Sequence, residues 1–110
     1  MKPRDEIAKM EFDIAGQSKR MALTFYKPIL EENGRTWGCE FEFDAPFEVT
    51  RTIFGETSLQ ALVLALKVAS GDLYGSALYR EGKVGVFGEY GGNLLIPATQ
   101  LNLDIAPFPF

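Results

Sequence analysis

The chain has 110 residues, a formal net charge of −4 at pH 7 and an aromatic content of 13%, which favours a packed core over disorder. This length predicts one domain over residues 1–110, with ends at 1–5 and 106–110 that are expected to be flexible. The acidic balance argues against nucleic-acid binding, and the sequence contains neither an apolar run of membrane-spanning length nor a signal-peptide pattern.

Up to residue 53, apolar and polar side chains alternate with the two-residue period of β-strands. Four stretches show this pattern, and turn signals rich in Gly, Asn, Asp and Pro separate them. Such short connections predict an antiparallel meander whose strands follow one another in chain order. The four predicted strands cover residues 9–14, 21–25, 37–44 and 47–53.

The turn Glu32-Asn33-Gly34 decides the predicted register of the second and third strands. A three-residue loop with Gly34 in the left-handed region keeps apolar residues opposite each other, whereas a two-residue loop would place acids on the apolar face. The predicted pairs are Glu31 with Arg35, Ile29 with Trp37, Phe25 with Phe41, and Leu23 with Phe43. Across the whole sheet this register predicts two core rows: Met10–Phe25–Phe41–Val49 and Phe12–Leu23–Phe43–Phe47.

One long apolar helix is predicted over Gly55–Leu73, and we expect it to pack on one face of the sheet. Thr57 and Gln60 have the spacing of a capping box at its start. Gln60 and Lys67 mark the side that should face water. The pattern leaves open whether the helix ends near Leu73 or continues to Leu78. The predicted buried stripe contains Leu59, Leu62, Val63, Leu66, Ala69 and Leu73.

The region after the helix predicts a last hairpin. Its strands would be Val84–Phe87 and Leu94–Pro97, joined around Glu89-Tyr90-Gly91-Gly92. The expected fold class is therefore α+β, with a four-stranded antiparallel meander, one long helix on one sheet face and a C-terminal hairpin.

Two motifs carry a resemblance to a known family. W-x-C-x-F covers Trp37, Cys39 and Phe41, and G-x-T-x-x-Q-A-L-x-L-A-L runs from Gly55 to Leu66. Over about residues 35–75 the chain resembles an uncharacterised family of small bacterial domains. The resemblance implies an α+β domain with a sheet before the helix, and it carries over no catalytic residue. Some domains of this kind are suspected to neutralise bacterial toxins.

The residue types argue against enzymatic chemistry. Histidine, the commonest general base and metal ligand, is absent. The single Cys39 and the scattered carboxylates lack the spacing of zinc ligands. We therefore expect no catalytic residue, no metal and no cofactor. Because a lone cysteine cannot form an internal disulfide, we also expect a cytoplasmic protein.

One row of the predicted sheet breaks the apolar pattern. The register places Lys27, Cys39 and Arg51 side by side on the core face. Two cations beside a thiol would stabilise the thiolate and make it reactive. The alternative is that Lys27 and Arg51 extend to water at the edge of the core, while Cys39 is an ordinary small buried residue.

The opposite face of the predicted sheet is acidic. Its carboxylates could dock a basic protein, or they could simply form a solvated face that keeps the protein soluble. Lys9 is the main basic residue expected near them. The candidate partner-binding residues are Glu11, Asp13, Glu40, Glu42, Asp44 and Glu48.

Three function classes remain open. A protein-binding module fits best, in the specific form of an immunity-type protein that neutralises a toxin through the acidic face. A self-associating structural domain, for example a homodimer, is the second, because the helix is apolar on several sides and the chain ends in Phe108-Pro109-Phe110. A small-ligand or redox role at Cys39 is the third. The sequence names no partner and predicts neither nucleic acid nor membrane as one.

Overall fold

The computed structural model describes residues 4–97 of the chain. It has an α+β fold, in which an antiparallel sheet of seven strands carries one main helix. Residues 1–3 and 106–110 of the predicted flexible ends lie outside the described residues. The strands are β1 (Glu6–Ile14), β2 (Met21–Tyr26), β3 (Ile29–Leu30), β4 (Trp37–Phe43), β5 (Val49–Gly55), β6 (Val84–Val86) and β7 (Glu89–Tyr90), and the helices are α1 (Ser58–Tyr74) and α2 (Ala77–Arg80).

The sheet contains more strands than the predicted meander. Strands β1, β2, β4 and β5 are antiparallel neighbours in chain order, as the alternating pattern indicated. Strand β3 continues along β4 beyond the end of β2, and β6 and β7 extend the sheet past β1. Among the described strands, β5 therefore forms one edge of the sheet and β7 the other.

The register between β2 and β4 is confirmed, but it does not continue into β3. Phe25 lies opposite Phe41, as predicted. Ile29 lies opposite Gly38 instead of Trp37, and the Glu31 amide donates to the Thr36 carbonyl at 2.7 Å. The prediction was wrong here because the β2–β3 side has one residue more than β4 between these pairs, at a place where Pro28 has no amide to donate to a ladder.

The two outer pairings of the predicted meander are each displaced by two residues. Met10 lies opposite Leu23 rather than Phe25, and Val49 lies opposite Phe43 rather than Phe41. Phe47 belongs to the loop between β4 and β5 and to no strand. The shifts arise because the loops 15–20 and 44–48 are longer than the predicted turns. Since side chains alternate between the two faces of a strand, a shift of two residues keeps every side chain on its predicted face.

Helix α1 begins where the capping pattern predicted. The Thr57 hydroxyl accepts a hydrogen bond from the Gln60 amide at 3.0 Å. The Gln60 side chain accepts from the Glu56 amide at 2.6 Å, one residue before the cap. The helix ends at Tyr74, and Ser76 then caps the separate short helix α2. The question of the helix end is thereby answered, because the chain starts a new helix instead of extending the first one.

The face that α1 turns to the sheet differs from the predicted stripe. Ala61, Ala65 and Ala69 are fully buried, while Leu59 and Val63 are 68% and 41% exposed. Small residues at this spacing let the helix lie close to strands that already carry large aromatic side chains. At the start of the helix the approach is so tight that a Cβ atom on Gly55 would lie 2.7 Å from the Ala61 amide nitrogen.

The C-terminal hairpin has a different second strand from the predicted one. Phe87 and Gly88, both with positive φ, form a two-residue turn between β6 and β7. Leu94–Pro97 is not a strand, because it crosses to the helix instead. There Leu94 is fully buried, and the Tyr74 hydroxyl accepts from the Leu94 amide and donates to the Ile96 carbonyl, each at 3.0 Å.

Candidate functional site

The sheet has two chemically different faces. The inner face, under α1, carries the apolar core with Phe12, Leu23 and Phe41 at its centre. The outer face carries charged and hydroxyl side chains, and Thr50 and Thr52 on it are exposed. We call this second surface the outer face.

Four side chains form a compact polar cluster on the outer face. The Arg4 guanidinium lies 2.6 Å from a Glu40 carboxylate oxygen and 3.8 Å from one of Glu42. The same guanidinium stacks on the Tyr26 ring, with its carbon 4.5 Å from the ring centroid. The Tyr26 hydroxyl donates a hydrogen bond to Glu42. We call Arg4, Tyr26, Glu40 and Glu42 the arginine–tyrosine cluster.

The Tyr26 phenol is held in its neutral form by this cluster. Its hydrogen bond to the Glu42 carboxylate, together with burial and the charge of Glu42, raises the pKa of Tyr26 to about 12. An ionised phenol would lose the donated proton and would repel the carboxylate. Arg4 partly offsets this effect, because its positive charge favours the ionised phenol.

A second ion-pair group lies further along the outer face. Arg20 contacts Asp13 at 3.1 Å and Glu11 at 4.0 Å. The other carboxylate oxygen of Asp13 accepts a hydrogen bond from the Gly88 amide at 2.8 Å. Asp13 therefore also joins β1 to the turn between β6 and β7.

The structure gathers four of the six predicted partner-binding acids on the outer face and places two at its end. Glu11, Asp13, Glu40 and Glu42 lie on β1 and β4. Asp44 and Glu48 lie in the loop between β4 and β5, where Asp44 accepts the Ala22 amide at 2.7 Å and Glu48 has a φ of 52°.

Sequence reasoning missed the two arginines on this face. It expected Lys9 as the main basic residue, whereas Arg4 and Arg20 make the ion pairs that the structure describes. The prediction started the first strand at residue 9 and treated residues 1–5 as a flexible end, whereas β1 starts at Glu6 and Arg4 lies directly before it. The Lys27 amide, which donates to the Asp5 carbonyl at 2.7 Å, holds that stretch there.

A pocket of about 400 Å³ opens beside the arginine–tyrosine cluster. Gly38 forms part of its wall, and a Cβ atom there would lie 2.7 Å from a Glu31 carboxylate oxygen. Phe54, opposite Gly38 on β5, is 53% exposed. The lining residues are Arg4, Tyr26, Lys27, Ile29, Glu31, Gly38, Glu40 and Thr52.

The predicted row around the thiol does not form. Cys39 lies opposite Ile53, and Arg51 lies opposite Phe41 and pairs with Asp72 at 2.9 Å. The extra residue at Pro28 also leaves Lys27 without an opposite residue on β4 in the described pairing. The Cys39 side chain is fully buried, its sulfur lies 3.4 Å from the Tyr26 carbonyl oxygen, and burial raises the pKa of the thiol. This environment favours the neutral thiol, as in the alternative interpretation of Cys39.

An apolar groove of about 430 Å³ lies between α1 and the N-terminal half of β1. It exists because α1 covers β4 and β5 and leaves part of β1 and β2 beside it. We call it the β1 groove, and its lining residues are Ile7, Ala8, Lys9, Met10, Leu23, Phe25, Leu62, Leu66 and Ile96.

The comparison with known families confirms the expectation of an uncharacterised domain family. A family model described as Domain of unknown function (DUF6968) matches residues 8–98, which is most of the chain. The chain belongs to this family. No curated protein and no solved structure matches it significantly. Within residues 4–97, no helix is both long and apolar enough to cross a membrane, and no group of His, Cys, Asp and Glu is arranged to hold a metal ion.

Proposed function

We propose that this chain is a protein-binding module whose docking surface is the outer face, and that its partner presents basic side chains. The observation that carries the proposal is the arginine–tyrosine cluster beside an open pocket on an exposed sheet face. Tyrosine, arginine and phenylalanine are enriched at the centres of protein interfaces, and Tyr26, Arg4 and the exposed Phe54 lie within this one region.

Charge supports a basic partner. The six acids of the outer face and its adjoining loop carry six negative charges, and Lys9, Arg4 and Arg20 return three positive ones. Glu31 and Lys27, which also line the pocket, add one charge of each sign, so an excess of three negative charges remains. This excess would attract a basic surface and speed its association. A toxin-neutralising protein that covers a basic nuclease is one specific form of this function.

The existing ion pairs do not block such a partner. The side chains of Arg4 and Arg20 are 41% and 63% exposed, and exposed pairs of this kind contribute little to stability. A partner's Lys or Arg can therefore replace either arginine at little cost.

Site-specific photo-crosslinking in the source cell tests this proposal. A photoreactive phenylalanine analogue at Thr52 would lie at the pocket on the outer face, and the same analogue at Lys67 would lie on the exposed side of α1. We expect a covalent adduct with one specific protein from position 52 and none from position 67. Adducts from position 67 alone would reject the outer face as the docking surface.

The role of charge is tested with the identified partner in purified form. Glu40→Gln with Glu42→Gln removes two charges but keeps an acceptor for the Tyr26 hydroxyl. Glu32→Gln with Glu89→Gln is the matched control, since it removes two exposed charges elsewhere. We expect the first pair to weaken binding at least about tenfold and to flatten its salt dependence, and the control to change binding less than about twofold. Equal effects of the two double substitutions would mean that binding depends on the net charge of the protein and not on Glu40 and Glu42.

Self-association through β5 is a second candidate function. This seven-residue strand is paired only with β4 among the described residues, and a free strand edge is a template for another strand. Leu64 and Val68 on α1 remain only partly buried. Light scattering over a wide concentration range distinguishes the candidates, because a dimer that Thr52→Pro converts to a monomer would favour this one.

A further inference from the structure

The arginine–tyrosine cluster holds a guanidinium group between two carboxylates and an aromatic ring. One terminal nitrogen of Arg4 lies 2.6 Å from an oxygen of Glu40 and 3.8 Å from an oxygen of Glu42. The guanidinium carbon lies 4.5 Å from the centroid of the Tyr26 ring. A planar cation that stacks on a ring while its edge meets carboxylates is an arrangement that suits arginine better than lysine.

The three side chains that receive the guanidinium are built on strands. Glu40 and Glu42 are two residues apart on β4, so both side chains lie on the outer face. Tyr26 follows Phe25, which lies opposite Phe41, and this alternation places the Tyr26 ring on the same face. The Tyr26 hydroxyl donates to Glu42, which orients the ring relative to one of the carboxylates. The receiving groups are therefore positioned by regular backbone, as a binding site requires.

Arg4, by contrast, lies outside the strands. It precedes β1, and its side chain is 41% exposed. The carbonyl of the neighbouring Asp5 accepts from the Lys27 amide at 2.7 Å, so the backbone beside Arg4 keeps its place when the side chain turns away. Such a rotation about side-chain bonds opens the cluster toward the pocket of about 400 Å³ that Arg4, Tyr26 and Glu40 line together.

We propose that Tyr26, Glu40 and Glu42 form an arginine-binding site, which Arg4 occupies within the chain and which an arginine side chain of the partner protein occupies in the complex. The inference rests on the proposed function for the partner, and it adds that the partner is recognised through one arginine rather than through charge alone. The pocket beside the cluster gives room for the incoming side chain. Arg4 is then a built-in competitor that lowers the affinity for the partner, since a tethered group has a high effective concentration.

Titration with small arginine compounds tests the site without the partner. Nα-acetyl-arginine amide carries the guanidinium of a peptide arginine, and Nα-acetyl-lysine amide has the same charge without the planar group. The backbone amide signals of Gly38 and Glu40 in NMR spectra report on the pocket wall and the cluster. We expect Arg4→Ala to bind the arginine compound at least about fivefold more tightly than the lysine compound, and at least about fivefold more tightly than the wild type binds it.

Three further variants separate competition by Arg4 from a change in net charge. Arg4→Lys keeps the charge but removes the planar group, so it should bind the arginine compound at least about threefold more tightly than the wild type does. Arg35→Ala is the matched control, because it removes an exposed arginine from the loop between β3 and β4, and it should change this affinity less than about 1.5-fold. Glu40→Gln in the Arg4→Ala background should weaken binding at least about tenfold.

Each other outcome overturns the inference. Equal or undetectable binding of the two compounds to Arg4→Ala would mean that the cluster is not selective for arginine, and the proposed function would remain, since a basic surface can still dock by charge. Equal gains in Arg4→Ala and Arg35→Ala would mean that net charge sets the affinity. Tighter binding of free L-arginine than of its amide would indicate a site for the amino acid itself. The proposed function fails separately, when position 52 gives no adduct in the photo-crosslinking experiment.

Discussion

Phe41 and Glu42 are neighbours on β4, yet they belong to different parts of the molecule. The Phe41 ring is fully buried and packs on Phe25 and Phe43, with centroid distances of 5.8 and 6.0 Å. Glu42 accepts a hydrogen bond from Tyr26 and lies 3.8 Å from Arg4 on the outer face. The inner face is thus held by shape and burial, and the outer face by exchangeable polar contacts. Stability therefore depends mainly on the first face.

Replacing one phenylalanine by alanine on each face compares how much the two faces contribute to stability. Phe41→Ala removes a buried ring from the inner face and should lower the free energy of unfolding by about 3–5 kcal/mol. Phe54→Ala is the matched control, because Phe54 is 53% exposed on the outer face of β5, and it should cost less than about 1 kcal/mol. Chemical denaturation measures both. Similar losses would mean that something covers the outer face in the folded protein.

The thiol of Cys39 tests how tightly the inner face is closed. Because the side chain is buried and burial raises its pKa, alkylation by iodoacetamide near neutral pH should be at least about a hundredfold slower than in denaturant. Mass spectrometry over time measures the rate. Rapid alkylation of the native protein would mean that the inner face opens readily enough to expose Cys39.

The smallest expected effect concerns Tyr26 on the outer face. Removing its hydrogen bond in Tyr26→Phe should cost about 1 kcal/mol at neutral pH. Since the folded-state pKa is raised from 10.0 to about 12, the contribution of Tyr26 is complete below pH 10. It is lost as the pH rises from 10 to 12, because the unfolded chain ionises first.

The change in stability between pH 9 and pH 12, measured by denaturation, should therefore be smaller in Tyr26→Phe than in the wild type. Tyr79→Phe is the reference variant for a tyrosine in the core, because burial raises the pKa of Tyr79 to about 12 as well. A wild-type pH profile in Tyr26→Phe would show that the phenol and Glu42 are not coupled.

Local chemistry in the sequence was sufficient for much of the fold. The alternation of apolar and polar residues indicated the four main strands and their faces, and Thr57 with Gln60 marked the start of α1. Gly34 has the positive φ that the turn required. These features depend on residues close together in the chain, so a sequence pattern can carry them.

The tertiary structure decided which of several apolar surfaces meet. The helix could present leucines or alanines to the sheet, and it presents Ala61, Ala65 and Ala69 because the strands already supply large aromatic rings. The predicted thiol row depended on two loop lengths: one extra residue at Pro28 displaces Lys27, and the longer loop between β4 and β5 places Arg51 opposite Phe41. The arginine–tyrosine cluster joins residues up to 38 positions apart, from Arg4 to Glu42. Such contacts follow from packing and loop length, which periodicity alone does not determine.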